Sequence, residues 1–230
     1  MKIVKKIIIT VFIVISITLG IFTYQGYNLY KHVLSETSID QKVAEIKEQT
    51  GNYTNYNELP KYYIDAVVAV EDRMFFEHKG INIISIMRAM LKNIKELRPV
   101  EGGSTITQQL AKNIYFTQKK EITRKVAEAF MAFELEKELN KEEIFELYVN
   151  TIYFGDGYYN IYDACHGYFD KEVSEMDLYE STLLAGIPNA PSVYAPTKNP
   201  ELAKQRQQQV IKKMVKYNYL TQEEADSIIK

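Results

Sequence analysis

An uncharged apolar run near the N-terminus is the feature that most constrains the fold of this chain. It extends for 18 residues, from Ile7 to Tyr24, and it follows Lys2, Lys5 and Lys6. As a helix it would be roughly 27 Å long, which is enough to cross the hydrocarbon core of a bilayer. Because the basic residues precede it, the positive-inside rule predicts a cytoplasmic N-terminus and places the remaining chain on the outer face.

A cleaved signal peptide is the alternative interpretation of this run. No convincing small-x-small cleavage site follows Leu19, so a retained single-pass anchor is favoured. We therefore divide the chain into a cytoplasmic N-terminus (1–6), a transmembrane helix (7–24), a polar, tyrosine-rich stalk (25–57) and a folded domain (58–230).

Composition restricts the chemistry of the folded domain. The chain has 230 residues, enough for one domain and an anchor, and its net charge of −2 gives no indication of nucleic-acid binding. The single cysteine, Cys165, excludes an internal disulfide framework and has no partner set for a metal cluster. We expect Cys165 to be a small buried residue rather than a nucleophile.

A glycine pair introduces the first candidate site, in the stretch Gly102–Asn113 (GGSTITQQLAKN). Glycines let the main chain lie close to a ligand, and the spacing of Thr105 and Gln108 is typical of a capping box. The free N–H groups of a helix N-terminus, together with Lys112, favour an anion. The alternative is an ordinary capped helix that follows a tight turn.

Five sequence blocks carry a family resemblance. They are Glu71–Gly80 (EDRMFFEHKG), Gly102–Asn113, Arg124–Ala129 (RKVAEA), Glu143–Gly155 (EIFELYVNTIYFG) and Leu184–Pro191 (LAGIPNAP). In this order they closely resemble the five motifs of the peptidoglycan glycosyltransferases, glycosyltransferase family 51, which polymerise lipid II on the outer face of the bacterial membrane. The resemblance extends from about residue 56 to the C-terminus. It implies a mainly α-helical, lysozyme-like, two-lobed glycosyltransferase domain.

Glu71 is the first candidate catalytic residue. A helix predicted from Pro60 to about Val70 places Glu71 at its C-terminal end, beside the aromatic residues of its own block. Partial desolvation there should raise the proton affinity of the carboxylate, as a general base requires. The alternative is a surface glutamate paired with Arg73. The resemblance implies that Glu71 deprotonates the 4-hydroxyl of the acceptor sugar.

Glu128 is the second candidate catalytic residue. It lies four residues after Arg124, so the two share one helix face. The first two turns of this helix are apolar nearly all round and are predicted to be buried. On chemistry alone, the pair could be a buried ion pair that holds the helix in place. The resemblance implies that Glu128 helps to activate or orient the leaving group, and a divalent cation (Mg²⁺ or Mn²⁺) near it is one way of doing so.

The resemblance also assigns substrate binding to six residues: Gly103, Ser104, Gln109, Lys112, Lys120 and Arg124. Lys112 and Arg124 match the cations that hold the pyrophosphate of the donor, and Ser104 and Gln109 match positions that line the groove. Lys120 stands where many members carry an arginine. Lysine keeps the positive charge but loses the bidentate fork.

A basic amphipathic helix is predicted between the first two blocks, within residues 81–98. The apolar face carries Ile84, Met87, Leu91 and Ile94. The basic face carries Arg88, Lys92 and Lys95. This pattern favours a surface that rests in the membrane interface. The alternative is an ordinary core helix with a solvated basic face.

The function implied is polymerisation of glycan strands. The lipid-linked chain is transferred onto lipid II with inversion, which forms a β-1,4 linkage and releases undecaprenyl pyrophosphate. The chain ends soon after the fifth block, so a monofunctional, moenomycin-sensitive enzyme without a penicillin-binding transpeptidase domain is expected. Its partners would be lipid II, the lipid-linked glycan and the bacterial membrane. Whether other cell-wall synthesis proteins are also partners is left open by the sequence. Two alternatives are a lysozyme-like lytic enzyme and a non-catalytic membrane partner that recruits cell-wall enzymes.

Overall fold

The structure is a computed structural model that describes residues 2–98, 102–116 and 122–228. Within these ranges it is α-helical, with short 3-10 turns and no strand. The helices are α1 (Lys2–Glu36), α2 (Ile39–Gln49), α3 (Lys61–Glu71), α4 (Ile83–Glu96), α5 (Ile106–Tyr115), α6 (Ile122–Glu138), α7 (Lys141–Val149), α8 (Ile161–Phe169), α9 (Leu178–Gly186), α10 (Pro191–Tyr194), α11 (Pro200–Lys216) and α12 (Gln222–Ile228). The expectation of a mainly α fold with one long apolar N-terminal helix is confirmed.

Helix α1 is long and apolar enough to cross a membrane by its length and composition. It has 35 residues and continues without a break beyond Tyr24, through the polar part of the chain, to Glu36. The first part of the predicted stalk is therefore a continuation of the apolar helix. Ser38 caps the following helix α2. The boundaries of the anchor and of the stalk stay predictions.

The outer part of α1 packs against α6. A Cβ atom added to Gly26 would lie 2.6 Å from Cβ of Val126, so the two helices approach as closely as a glycine permits. The ring of Tyr30 stacks on Phe130 with centroids 5.9 Å apart. The Tyr30 hydroxyl donates a hydrogen bond of 2.9 Å to Glu134. These contacts join the apolar N-terminal helix to the folded domain.

The core of the domain surrounds α3, which packs against α9 and α11. Its small and β-branched residues, such as Ala66 and Val67, are buried, and so is the ring of Tyr63. Helix α5 packs between α6 and α7. Phe145 and Tyr148 of α7 are fully buried next to it. The ends of α3, α5 and α6 thus meet on one side of a shared core.

Helix α4 presents an apolar face to the outside. The side chains of Ile84, Leu91 and Ile94 are 63–70% exposed, and Ala89 is the residue that the helix buries. The alternative interpretation as an ordinary core helix is therefore wrong. An exposed apolar face next to basic residues is the arrangement expected of a helix that lies in a membrane interface.

The first turns of α6 differ from the expectation. Ala127, Glu128 and Met131 are buried, but Ile122 is 63% exposed and Phe133 is 39% exposed. The prediction that this end of the helix is buried all round is wrong for one side. The reason is that this side borders an apolar groove between α1 and α4, so part of its surface is left uncovered.

Candidate active site

The candidate active site is a polar cavity of about 440 Å³. Glu71, at the end of α3, and Glu128, on α6, both line it. The other lining residues that bear on the chemistry are Arg88, Gly102, Ser104, Gln109, Lys112, Lys125, Asn189, Arg206 and Lys213. Two carboxylates are thus placed in one cavity among several cations.

Glu71 is held by contacts from two helices. Its Oε2 atom accepts a hydrogen bond of 2.8 Å from Nε2 of Gln109 on α5. Its Oε1 atom lies 3.6 Å from Nη2 of Arg206 on α11, and the Glu71 side chain is 12% exposed. Arg73 instead places its guanidinium over the ring of Tyr217, 5.0 Å from the centroid. The alternative pairing of Glu71 with Arg73 is therefore not formed.

The loop after Glu71 is fastened to the start of α5. Oδ2 of the buried Asp72 accepts a hydrogen bond of 3.1 Å from the Ile106 N–H and lies 2.7 Å from Nε2 of His78. The Thr105 hydroxyl donates to the Gly80 carbonyl at 2.6 Å, and Thr105 also forms the predicted capping box. These bonds fix the end of α3 relative to the helix that carries Gln109 and Lys112.

Glu128 lies between two cations and is 1% exposed. Its Oε2 atom is 2.6 Å from Nζ of Lys125, and its Oε1 atom is 3.4 Å from Nε of Arg124. The Lys125 ammonium also donates to Oγ of Ser104 at 2.7 Å. Since a buried carboxylate needs charge partners, these two cations explain how Glu128 is accommodated. Lys125 also lines the cavity, where an anionic substrate would meet its ammonium group.

Lys112 has a perturbed ammonium group. Burial lowers its pKa from 10.5, and the nearby cations Lys125 and Arg124 lower it further, whereas the carboxylates of Glu128 and Glu71 act in the opposite direction. Removal from water and repulsion by neighbouring positive charge both disfavour the charged form. An anion bound in this cavity would relieve the repulsion.

The structure brings most of the predicted site residues to the cavity. Ser104, Gln109 and Lys112 line it together with both glutamates. Arg124 is not a lining residue, but its Nε atom lies 3.4 Å from Oε1 of Glu128. Gly103 lines the neighbouring apolar groove instead. A Cβ there would lie 2.9 Å from the Cα of Ile86, so α4 leaves no space for a side chain. Lys120 lies outside the described residues. The roles assigned to all these residues stay predictions.

Three further cations line the cavity but were not singled out from the sequence: Lys125, Arg206 and Lys213. Lys125 stands three residues before Glu128, a spacing that brings two side chains together on a helix. Arg206 lies on the buried face of α11 and donates to the Gly186 carbonyl at 3.2 Å. An arginine on an apolar helix face was a usable signal. Lys213 donates to the Val70 carbonyl at 2.9 Å.

The residues around Glu128 do not fit a preformed metal site. Nowhere in the described ranges do three histidine, cysteine, aspartate or glutamate side chains converge. Both oxygens of Glu128 face cations of the protein. The expected divalent cation near Glu128 stays a prediction. Cys165 is buried, and burial raises the pKa of its thiol to about 12.

Comparison with known proteins identifies the family. A family model described as Transglycosylase matches residues 39–215. The chain belongs to the transglycosylase family. This confirms the family membership that the five sequence blocks predicted.

The relatives of this transglycosylase chain include two long proteins. It is 37% identical to penicillin-binding protein 1A of Aquifex aeolicus, over 98% of this chain and 33% of that protein. It is 40% identical to penicillin-binding protein 1F of Bacillus subtilis, over 91% of this chain and 30% of that protein. A crystal structure of penicillin-binding protein 1A from Haemophilus influenzae matches 54% of this chain and 15% of that one, with 30% identity and a TM-score of 0.39. This transglycosylase chain spans about a third of the length of the first two relatives.

Proposed function

We propose that this transglycosylase is a peptidoglycan glycosyltransferase that polymerises lipid II into β-1,4-linked glycan strands. The observation that carries the proposal is the joint placement of Glu71 and Glu128 in one polar cavity with Lys112 and Lys125. A carboxylate near a bound sugar supplies a base, and a cluster of cations supplies a site for pyrophosphate. A hydrolase of preformed glycan has no pyrophosphate to bind, so the cations favour the polymerase.

Glu71 acts as the general base in this proposal. Its carboxylate takes the proton of the acceptor 4-hydroxyl as the sugar oxygen attacks the donor. Gln109 holds one carboxylate oxygen at 2.8 Å and so fixes the direction of the group. Arg206 lies 3.6 Å from the other oxygen and balances its charge. A carboxylate that is oriented in advance lowers the entropic part of the activation barrier, because the reacting groups are already aligned.

The cations near Glu128 stabilise the leaving group. Departure of undecaprenyl pyrophosphate builds negative charge, which positive groups fixed in advance stabilise most in the transition state. Lys112, Arg124 and Lys125 provide these charges, and Glu128 holds the last two at 3.4 Å and 2.6 Å. Glu128 is therefore a positioning residue for the pyrophosphate site.

Direct displacement explains the stereochemistry. Attack by the sugar hydroxyl on the face opposite to the pyrophosphate converts an α-linked donor into a β-linked product in one step, with inversion. The proton moves from the acceptor hydroxyl to Glu71, and the electrons of the broken bond leave with the pyrophosphate. The good leaving group makes strong acid assistance less necessary.

The membrane context follows from α1. We place its apolar run in the cell membrane, with the N-terminus in the cytoplasm and the domain on the outer face, where lipid-linked substrates present their sugars. The basic residues before the run support this orientation.

The test is polymerisation of labelled lipid II by the full chain in detergent. Wild type should form long, moenomycin-sensitive strands, and Glu71→Gln should lower the rate by about 100-fold or more, as expected for loss of a general base. Glu77→Gln, an exposed change in the same loop, is the matched control and should retain the wild-type rate. Circular dichroism checks that the variants are folded.

Further outcomes separate the roles. Near-normal rates from Glu128→Gln would reduce that carboxylate to a structural ion-pair partner. Rates in a chelator and with added Mg²⁺ or Mn²⁺ test the expected cation. If folded wild type formed no polymer with either metal, the polymerase proposal would be rejected.

A further inference from the structure

Glu136 is a carboxylate on α6 that lies outside the five sequence blocks. Its side chain is 7% exposed, and it is not among the described residues that line the polar cavity. Removal of a charged carboxylate from water is costly unless hydrogen bonds or charge partners compensate for it. The partners of Glu136 therefore show what this residue holds in place.

One oxygen of Glu136 joins three helices. Its Oε1 atom accepts a hydrogen bond of 2.6 Å from the hydroxyl of Thr107 on α5, and another of 2.6 Å from the ammonium of Lys141 on α7. Thr107 is fully buried. Hydrogen bonds to an ionised acceptor are shorter and stronger than those between neutral groups. The start of α5 is thus fastened to α6 and α7 at a single atom.

The contacts of Lys141 extend to the loop that follows Glu71. Its ammonium lies 4.6 Å from the centroid of the Phe75 ring, and Phe75 is fully buried in that loop. A cation over the face of an aromatic ring is attracted by the negative charge of that face. Glu136 and its partners therefore connect α5 with the segment that continues from Glu71.

Thr107 and Gln109 lie on opposite sides of α5. They are two residues apart, which is about 200° around a helix. Gln109 donates to Oε2 of Glu71 at 2.8 Å. Because a hydrogen bond is lost beyond about 3.5 Å, a shift of roughly 1 Å in α5 would release this carboxylate. Glu136 thus holds α5 from the side opposite to Glu71.

We propose that Glu136 is a positioning residue for the general base Glu71. The inference rests on the proposed polymerase function. Through Thr107, Glu136 fixes the rotation of α5 about its axis and so keeps the Gln109 amide beside the base. Glu136 itself contacts neither the sugar nor the pyrophosphate, and its effect is transmitted by the hydrogen bond from Gln109.

The first test replaces Thr107, because loss of Glu136 would leave Lys141 without its acceptor and endanger folding. Thr107→Val removes the donor at a similar volume and should lower kcat for lipid II about tenfold, since misplacement by about 1 Å can cost up to about 100-fold. Thr107→Ser keeps a hydroxyl that can donate to Glu136, so it should retain most of the wild-type kcat. Equal losses in the two variants would overturn the proposal.

Thr182→Val is the matched control. Thr182 is also fully buried, and its hydroxyl donates to the Leu178 carbonyl at 2.8 Å and accepts from Nε2 of Gln207 at 3.1 Å. This variant should lose stability but keep the wild-type kcat, because Thr182 lies on α9 and has no contact with α5. If both valine variants lowered kcat equally, the loss would reflect general destabilisation and the positioning role would be rejected.

A double-mutant cycle with Gln109→Ala tests the route of the effect. If Glu136 acts through Gln109, Thr107→Val should cause little further loss of kcat in the Gln109→Ala background, because the contact that it displaces is already absent. Independent losses that multiply would show that Thr107 acts by another route, and the proposal would fail.

A structural measurement does not depend on catalysis. Crystal structures of wild type, Thr107→Val and Thr182→Val give the distance between Nε2 of Gln109 and Oε2 of Glu71, which is 2.8 Å in the wild-type chain. We expect a distance above about 3.5 Å in Thr107→Val alone. An unchanged distance would reject the positioning role and leave the polymerase function standing. If wild type formed no polymer, the polymerase function would fail, and the distance would still decide whether Glu136 positions Glu71.

Discussion

Lys112 shows how the site adjusts the charge of a single residue. Its ammonium is partly removed from water, and this desolvation is the largest cause of its lowered pKa. The cations Lys125 and Arg124 add to the shift, and the carboxylates of Glu128 and Glu71 oppose it. The charged form is present below the lowered pKa and is lost as the pH rises through it. Binding of the donor pyrophosphate should therefore weaken at a lower pH than an ordinary lysine would allow.

This gives a pH prediction. In wild type, the KM for lipid II should rise on the alkaline side at a pH below 10.5, the usual lysine pKa. Lys112→Arg should move this rise to higher pH, because a guanidinium keeps its proton. The measurement is the KM for lipid II across the alkaline range, at constant ionic strength. An identical alkaline limb in both proteins would show that Lys112 does not bind the pyrophosphate as a cation.

At the scale of elements, the N-terminus of α5 connects the two halves of the site. Thr105 is 1% exposed, caps this helix and donates to the Gly80 carbonyl. The loop that follows Glu71 is thereby joined to the helix that carries Lys112. A change in this cap should therefore affect both the stability of the domain and the relative position of Glu71 and Lys112.

Thr105→Ala should lower the free energy of unfolding by about 2 kcal/mol, since it removes a cap and leaves a buried carbonyl without its donor. Thr221→Ala is the matched control, because Thr221 forms an exposed capping box with Glu224 before α12. Its loss should cost at most about 1 kcal/mol. Chemical denaturation in detergent gives both values. Equal losses would contradict the importance assigned to the buried contact with Gly80.

Local patterns predicted several of these elements well. The end of α3 at Glu71, the capping box at Thr105 and the apolar face of α4 follow from spacing within one helix. The pairing of Glu71 with Arg206 does not, because it joins two helices that are distant in sequence. Sequence spacing determines which residues share a helix face, but the packing of helices determines which faces meet.

The groove was missed for a related reason. The apolar residues of α6, such as Ile122 and Phe133, have the pattern of a buried helix, and this pattern does not distinguish a core from an apolar groove at the surface. The sequence also predicted a shorter α1, because the residues after Tyr24 are polar. Its polar extension is helical because Tyr30 packs on Phe130 of α6. Composition alone indicated a stalk there.

For the whole molecule, the contact between α1 and α6 joins the apolar N-terminal helix to the folded domain. Gly26→Val should disrupt the contact between α1 and α6, because even a Cβ atom at this position would lie 2.6 Å from Cβ of Val126. Overpacking of this kind typically costs about 1–3 kcal/mol. Since α6 carries Glu128, the polymerisation rate should fall together with the thermal stability.

Gly20→Val is the matched control, since a Cβ at Gly20 meets no atom within 4 Å. It should preserve both stability and rate. Thermal unfolding in detergent and polymerisation of lipid II measure the two effects. Wild-type behaviour of Gly26→Val would show that α1 does not need this contact.

The unbroken course of α1 has a consequence for how substrate is found. With residues 7–24 in the bilayer, the part of the helix beyond Tyr24 rises about 18 Å, at 1.5 Å per residue, and is fixed to α6 on the way. If the proposed membrane placement is right, this contact would hold the polar cavity at a set height above the lipid headgroups. The proposed lipid-linked substrate would then be met by diffusion within the membrane. The encounter rate would depend on the number of substrate molecules per unit area of membrane rather than on a concentration in solution.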